Sequence, residues 1–153
     1  MRATAADVAA LTALLGRPPR AEFEVVVRSK DGMPAVIRNA PLLDDGTPMP
    51  TRYWLVDPKL TVAVSRLEGR GGVREAARTV DRAELAAAHE RYATERDAAL
   101  AGEHIGPRPH GGVGGTATGV KCLHAHYANY LAGADDPVGR WVQERLDDAE
   151  RTG

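Results

Sequence analysis

Hydrophobic and polar residues divide the chain into a front half of short β-branched runs and a back half of helical stripes. After Thr4, the residues Val8, Leu11, Leu14 and Leu15 recur at helical spacing, and Gly16, Pro18 and Pro19 end the pattern, which predicts a short amphipathic helix over residues 5–15. Residues 23–28 and 34–38 are β-branched runs joined by Lys30-Asp31-Gly32, a turn composition, and read as a hairpin. Residues 44–50 form a second turn-rich connection. Residues 51–56 and 60–65 are expected as two further strands flanking Asp57-Pro58-Lys59, which would complete a small antiparallel sheet.

The pattern then changes period. Asp81-Arg82-Ala83-Glu84 has the acceptor-x-x-Glu form of a capping box, and the absence of proline and glycine after it carries the predicted helix to about residue 101. Residues 102–118 are glycine-rich loop. A second helix is expected over 119–131, stopped by Gly133, and Pro137 suits the first turn of a third over 138–149. Residues 147–153 are polar and expected to fray. The fold class that follows is α+β: one domain over 1–153, with a small antiparallel sheet from the first half packed against three to four helices, the N-terminal one and those of the second half.

Length and charge narrow the function classes. A chain of 153 residues fits one domain with a real core. The formal net charge of -1 provides no global field for nucleic acid or an acidic membrane surface, so neither is expected as a partner. No apolar stretch is long enough for a signal segment or a membrane span, and the single cysteine, Cys122, cannot form an internal disulfide; both fit a reducing cytoplasm. The basic residues are nearly all arginine, as in high-GC bacterial genomes, and this carries no functional information.

The chemistry concentrates between Arg108 and Leu131, which hold the only cysteine, three of the five histidines and a glycine loop leading into a helical pattern. Glycines before a helix allow a ligand close to backbone amides, and the first turn then presents a partial positive charge. The loop resembles a phosphate-binding P-loop in its glycine-to-lysine distance, but Val120 separates Gly119 from Lys121 and no hydroxyl residue follows the lysine, so the consensus is broken. On the capped helix, Leu85, His89, Tyr92, Arg96, Ala99 and Leu100 share one stripe at about 100° per residue. Three polar side chains thus face inward, either to pair with structural partners or to line a pocket.

A small anionic ligand bearing phosphate or carboxylate is the reading this pattern favours, with Tyr92, Arg96, Arg108, Gly114, Gly115 and Lys121 as the binding set and His89 beside them. Should the chain be an enzyme, which its sequence leaves open, His89, Cys122 and His126 are the catalytic candidates, Cys122 as the soft nucleophile and a histidine as acid or base. Cys122, His124 and His126 would share one face of an extended segment and could then hold a metal ion. On an ideal helix Cys122 and His124 diverge by roughly 200°, so the predicted helix implies no bound metal. No cofactor is implied, and oligomeric state is not fixed by the sequence. The alternatives are a non-catalytic module that binds another protein, and a Cys/His enzyme or metal site.

Several segments are similar to an actinobacterial family classed as a domain of unknown function, family 501. They are Asp45-Gly46-Thr47-Pro48-Met49-Pro50-Thr51-Arg52-Tyr53-Trp54-Leu55, Ser65-Arg66-Leu67-Glu68, Gly111-Gly112-Val113-Gly114-Gly115-Thr116, Gly119-Val120-Lys121-Cys122-Leu123-His124-Ala125-His126 and Asp136-Pro137-Val138-Gly139. The resemblance covers most of the chain and brings no assigned activity. Its genes are often found near those for enolase, a septum-formation initiator and an exopolyphosphatase. That neighbourhood implies phosphorylated metabolites or polyphosphate as ligands, or a partner in cell division or envelope growth.

Overall fold

The computed structural model describes residues 2–49, 51–100, 102 and 104–152. Pro50 of the second turn, Ala101 at the expected helix end, Glu103 of the loop and Gly153 of the tail lie outside the described residues. Ten elements follow in order: α1 (Ala5–Leu15), β1 (Phe23–Arg28), β2 (Pro34–Asn39), β3 (Tyr53–Leu55), α2 (Pro58–Gly69), α3 (Gly72–Thr79), α4 (Arg82–Ala98), a single 3-10 turn (Val113–Gly115), α5 (Leu123–Leu131) and α6 (Pro137–Thr152). The fold is α+β.

The sheet has three antiparallel strands in the order β1-β2-β3. Val25 pairs with Ile37, and Val36 pairs with Leu55. Successive strand residues point to opposite faces, and β2 uses this to bind two layers together. Ile37 joins Leu11, Val25 and Val56 under α1, whereas Val36 joins Leu55, Val64, Leu85, Leu123, Tyr127 and Val142 on the helical side. The sheet therefore lies between α1 and the remaining helices. Thr4 and Asp7 cap α1 reciprocally, and Asp7 also receives both terminal nitrogens of Arg28 at 2.9 Å, tying the helix to the end of β1.

The expected fourth strand over 60–65 is instead part of α2. Asp57 accepts a hydrogen bond from the Leu60 N–H at 3.0 Å and Pro58 occupies the first turn, a strong helix start. Leu60, Val64 and Leu67 then face the core at helical spacing while Val62, between them, is half exposed. The β-branched composition of this segment is overridden by its cap and by burial along one stripe. A short α3 follows, burying Ala76 with Val73 and Val80 packed alongside.

Helix α5 sits at the centre of the helical layer, touching β3, α2, α6 and the 3-10 turn. It crosses α6 at Gly139, where a Cβ would stand 2.2 Å from the Tyr130 Cβ and 2.7 Å from the His126 carbonyl oxygen. Only the absence of a side chain allows that approach.

Candidate functional site

Of the three polar residues on the interior stripe of α4, His89 and Arg96 hold the glycine loop by hydrogen bonds and Tyr92 reaches the backbone beside β3. His89 is buried; its Nδ1 accepts the Val113 N–H at 3.0 Å, and its Nε2–H donates to the Gly119 carbonyl at 2.8 Å. Those two partners fix the neutral tautomer, and burial is the main influence lowering the ring's pKa. Arg96, 1% exposed, donates to the Gly111 carbonyl at 2.8 Å and to Asp97 Oδ1 at 3.2 Å. The Tyr92 hydroxyl accepts the Arg52 N–H at 2.6 Å, and burial pushes its pKa up to about 12. Gly112 packs so tightly on His89 that a Cβ would fall 2.6 Å from Nδ1.

A second polar group is buried beneath α5. His126 Nδ1–H donates to both oxygens of Asp136, at 3.0 and 2.8 Å, and both side chains are fully buried. Asp136 also accepts from Asn129 Nδ2 and from the backbone N–H groups of Val138 and Gly139, so it caps α6. Burial alone would raise its pKa; the His126 contact and these further donors outweigh it and hold the carboxylate below its ordinary value. His126 Nε2 has no hydrogen-bond partner among the described residues, and the ring meets His89 edge to face at 5.5 Å.

The third group is half-buried and opens toward solvent. Helix α5 begins at Leu123, four residues later than its sequence pattern predicts, because Gly119 adopts φ 68° and Cys122 is extended at φ -147°. Cys122 therefore occupies the N-cap, outside the helix, and its sulfur can turn toward His124. Glu68 reaches across from α2: Oε2 accepts the Leu123 N–H at 2.8 Å, and Oε1 lies 3.3 Å from His124 Nδ1. Glu68, Cys122 and His124 are the one set of three potential metal ligands brought together among the described residues, their ligand atoms all within 4.8 Å of one another.

Ring geometry decides what this group can do. His124 Nε2 lies 3.1 Å from the Thr61 carbonyl and 3.1 Å from Ser65 Oγ. Ser65, His124 and Glu68 thus have the connectivity of a serine–histidine–acid relay. A carbonyl only accepts hydrogen bonds, so its approach requires a proton on Nε2, and Nε2 then has no lone pair with which to take the serine proton. Nδ1 is left facing a carboxylate. Two acceptors at 3.3 Å repel unless a cation or a proton lies between them. In the metal-free protein a proton serves: the hydrogen bond to Cys122 is the largest influence raising the ring pKa to about 9, against the opposing cost of burial, with Thr61 and Glu68 adding to the rise.

Of the sequence-predicted residues, His89, Tyr92 and Arg96 do converge on the interior, where their polar atoms engage the protein's own backbone. Arg108 and Lys121 are exposed. Gly114 and Gly115 have φ of 72° and 82°, and the Cβ position on Gly114 looks onto Lys121 and Cys122 at 3.6 and 3.7 Å. His126 is separated from Cys122 by a turn of α5 and is enclosed with Asp136. Glu68, Thr61 and Asp136 join these groups without a local sequence signal. A strand over 60–65 leaves Glu68 outside any element, whereas the helix started by Asp57 and Pro58 puts it one turn from Ser65, facing α5.

The chain belongs to the family described as a protein of unknown function (DUF501), whose model matches residues 25–144. That span contains every residue of the three polar groups above and excludes α1. No curated protein and no solved structure matches the chain.

Proposed function

We propose that this domain binds one divalent transition metal ion of the zinc type through Glu68 Oε, Cys122 Sγ and His124 Nδ1. The observation that carries this reading is the His124 ring, held by Thr61 so that its second nitrogen faces a carboxylate and a sulfur. A metal-bound histidine usually donates its remaining N–H to a carbonyl, and a ligating carboxylate is itself hydrogen-bonded. Thr61 and the Leu123 N–H supply those two contacts. Ligand atoms around a tetrahedral zinc are about 3.5 Å apart for bonds of about 2.0–2.3 Å. His124 and Glu68 already meet that spacing, and the Cys122 sulfur lies within 4.8 Å of both.

One nitrogen, one oxygen and one sulfur suit zinc or cobalt better than magnesium or calcium. Three protein ligands leave a fourth position for water or an incoming anionic group, the arrangement of catalytic rather than closed structural sites. The anion expected from the glycine loop would bind there, beside exposed Lys121, rather than at Arg96, whose donors are already engaged. The test is elemental analysis of protein produced without an affinity tag, alongside Cys122→Ser and His124→Ala. About one zinc per chain, lost in both variants while the fold persists, supports the reading; wild-type protein that takes up no zinc, even when supplied in excess, contradicts it.

A further inference from the structure

We infer that His89 is the positioning residue of the metal site, although it lies outside hydrogen-bond reach of every ligand. The inference rests on the metal-binding reading and concerns how Cys122 is held. Cys122 is the only proposed ligand carried by an irregular segment; Glu68 is on α2 and His124 on α5. Its placement depends on the path from Val113 to Lys121. His89 binds that path at its start and two residues before its end, accepting from the Val113 N–H and donating to the Gly119 carbonyl. Between those anchors the Gly114 backbone lies against Cys122, its Cβ position 3.7 Å from the Cys122 Cβ and 3.8 Å from the Cys122 nitrogen. One imidazole in one tautomer thus closes residues 113–119 into a ring, and Cys122, three residues past its second anchor, rests against Gly114 of that ring.

Replacing His89 by leucine leaves an amide and a carbonyl unpaired and frees both ends of the loop. Glutamine carries an acceptor and a donor about as far apart as the two ring nitrogens and can restore both contacts. Loss of a contact made directly to a metal ligand costs about 10-fold to 100-fold in metal affinity, and loss of His89, which acts one step further from the ion through the loop, is expected to cost about 10-fold, the low end of that range. A second perturbation comes from the opposite side: Gly112→Ala pushes a methyl into the ring, since its Cβ would meet Nδ1 at 2.6 Å. Leu11→Ala, on the far face of the sheet, supplies a destabilised control with no path to the loop.

The experiment is titration of the metal-free full chain with cobalt, read by its dissociation constant and by the sulfur-to-cobalt charge-transfer band. Expected are a Kd raised about 10-fold with a weakened band in His89→Leu and Gly112→Ala, recovery to within about two-fold of wild type in His89→Gln, and no change in Leu11→Ala. A folded His89→Leu protein with the wild-type Kd and band overturns the inference; if His89→Leu does not fold, Gly112→Ala decides by the same criterion. Failure of wild type to bind cobalt sinks the metal reading instead. The alkylation rate of Cys122 then tests the positioning role, which an unchanged rate in both variants overturns.

Discussion

His124 Nδ1 and Glu68 Oε1 stand 3.3 Å apart where α5 meets α2, while the opposite edge of the same ring is fixed against the Thr61 carbonyl. Both α2 residues lie on the turns that face the start of α5, and Glu68 serves two ends at once: one oxygen caps α5 and the other looks onto the imidazole. The cap and the charge can therefore be separated by mutation.

Glu68→Gln keeps an oxygen for the Leu123 N–H and removes the negative charge. Its stability is expected to fall by about 1 kcal/mol or less, as for an imperfectly replaced cap, while zinc affinity falls much further, by about 10-fold or more. Chemical denaturation and competition with a zinc-binding dye measure the two effects on one preparation.

The pH dependence of metal uptake has a defined sign. Below about pH 9 the metal-free His124 ring holds a proton that the ion must displace, so affinity rises as pH increases toward that value. NMR of the metal-free protein should show one imidazole titrating near pH 9, and zinc should abolish that titration. A His124 ring titrating near its ordinary value of 6.5 would contradict the assigned geometry.

Asp7 gives a separate pH effect, on stability. The Arg28 hydrogen bonds are the largest influence holding its pKa far below the ordinary 3.8, so the folded state binds a proton less readily than the unfolded one. The stabilisation is present above the unfolded value and is lost as pH falls through and below it. Arg28→Met should flatten the dependence of unfolding free energy on pH between about 5 and 2 relative to wild type.

Asp136 and Arg96 are expected to act on folding rather than on ligands. Asp136→Asn breaks a fully buried pair with His126 and is expected to cost about 3–5 kcal/mol. Arg96→Met leaves the Gly111 carbonyl unpaired and should cost about 1–3 kcal/mol. Phosphate-induced thermal stabilisation that disappears in a normally stable Arg96→Met protein would return Arg96 to a ligand site.

The helical stripe of α4, the cap at Asp81 and the hairpin over β1 and β2 could be read from sequence because each rests on local spacing and local hydrogen bonds. Residues 60–65 misled because Thr61, Val62 and Val64 have strand-like composition, while the decisive signals lie just before them in Asp57 and Pro58. The metal group was hidden by a boundary. Extending α5 back to residue 119 puts Cys122 and His124 on opposite sides of a helix, whereas the left-handed Gly119 keeps that turn from forming. Glu68 belongs to the group only through tertiary packing of α2 on α5, which no spacing within one segment reveals.

X-ray absorption at the zinc edge of the reconstituted full chain tests the central claim most directly. The predicted result is one ion per chain with one sulfur at about 2.3 Å and three nitrogen or oxygen neighbours at about 2.0–2.2 Å, the sulfur vanishing in Cys122→Ser. Zinc surrounded only by nitrogen and oxygen in wild-type protein, with a spectrum unchanged by Cys122→Ser, would contradict the site.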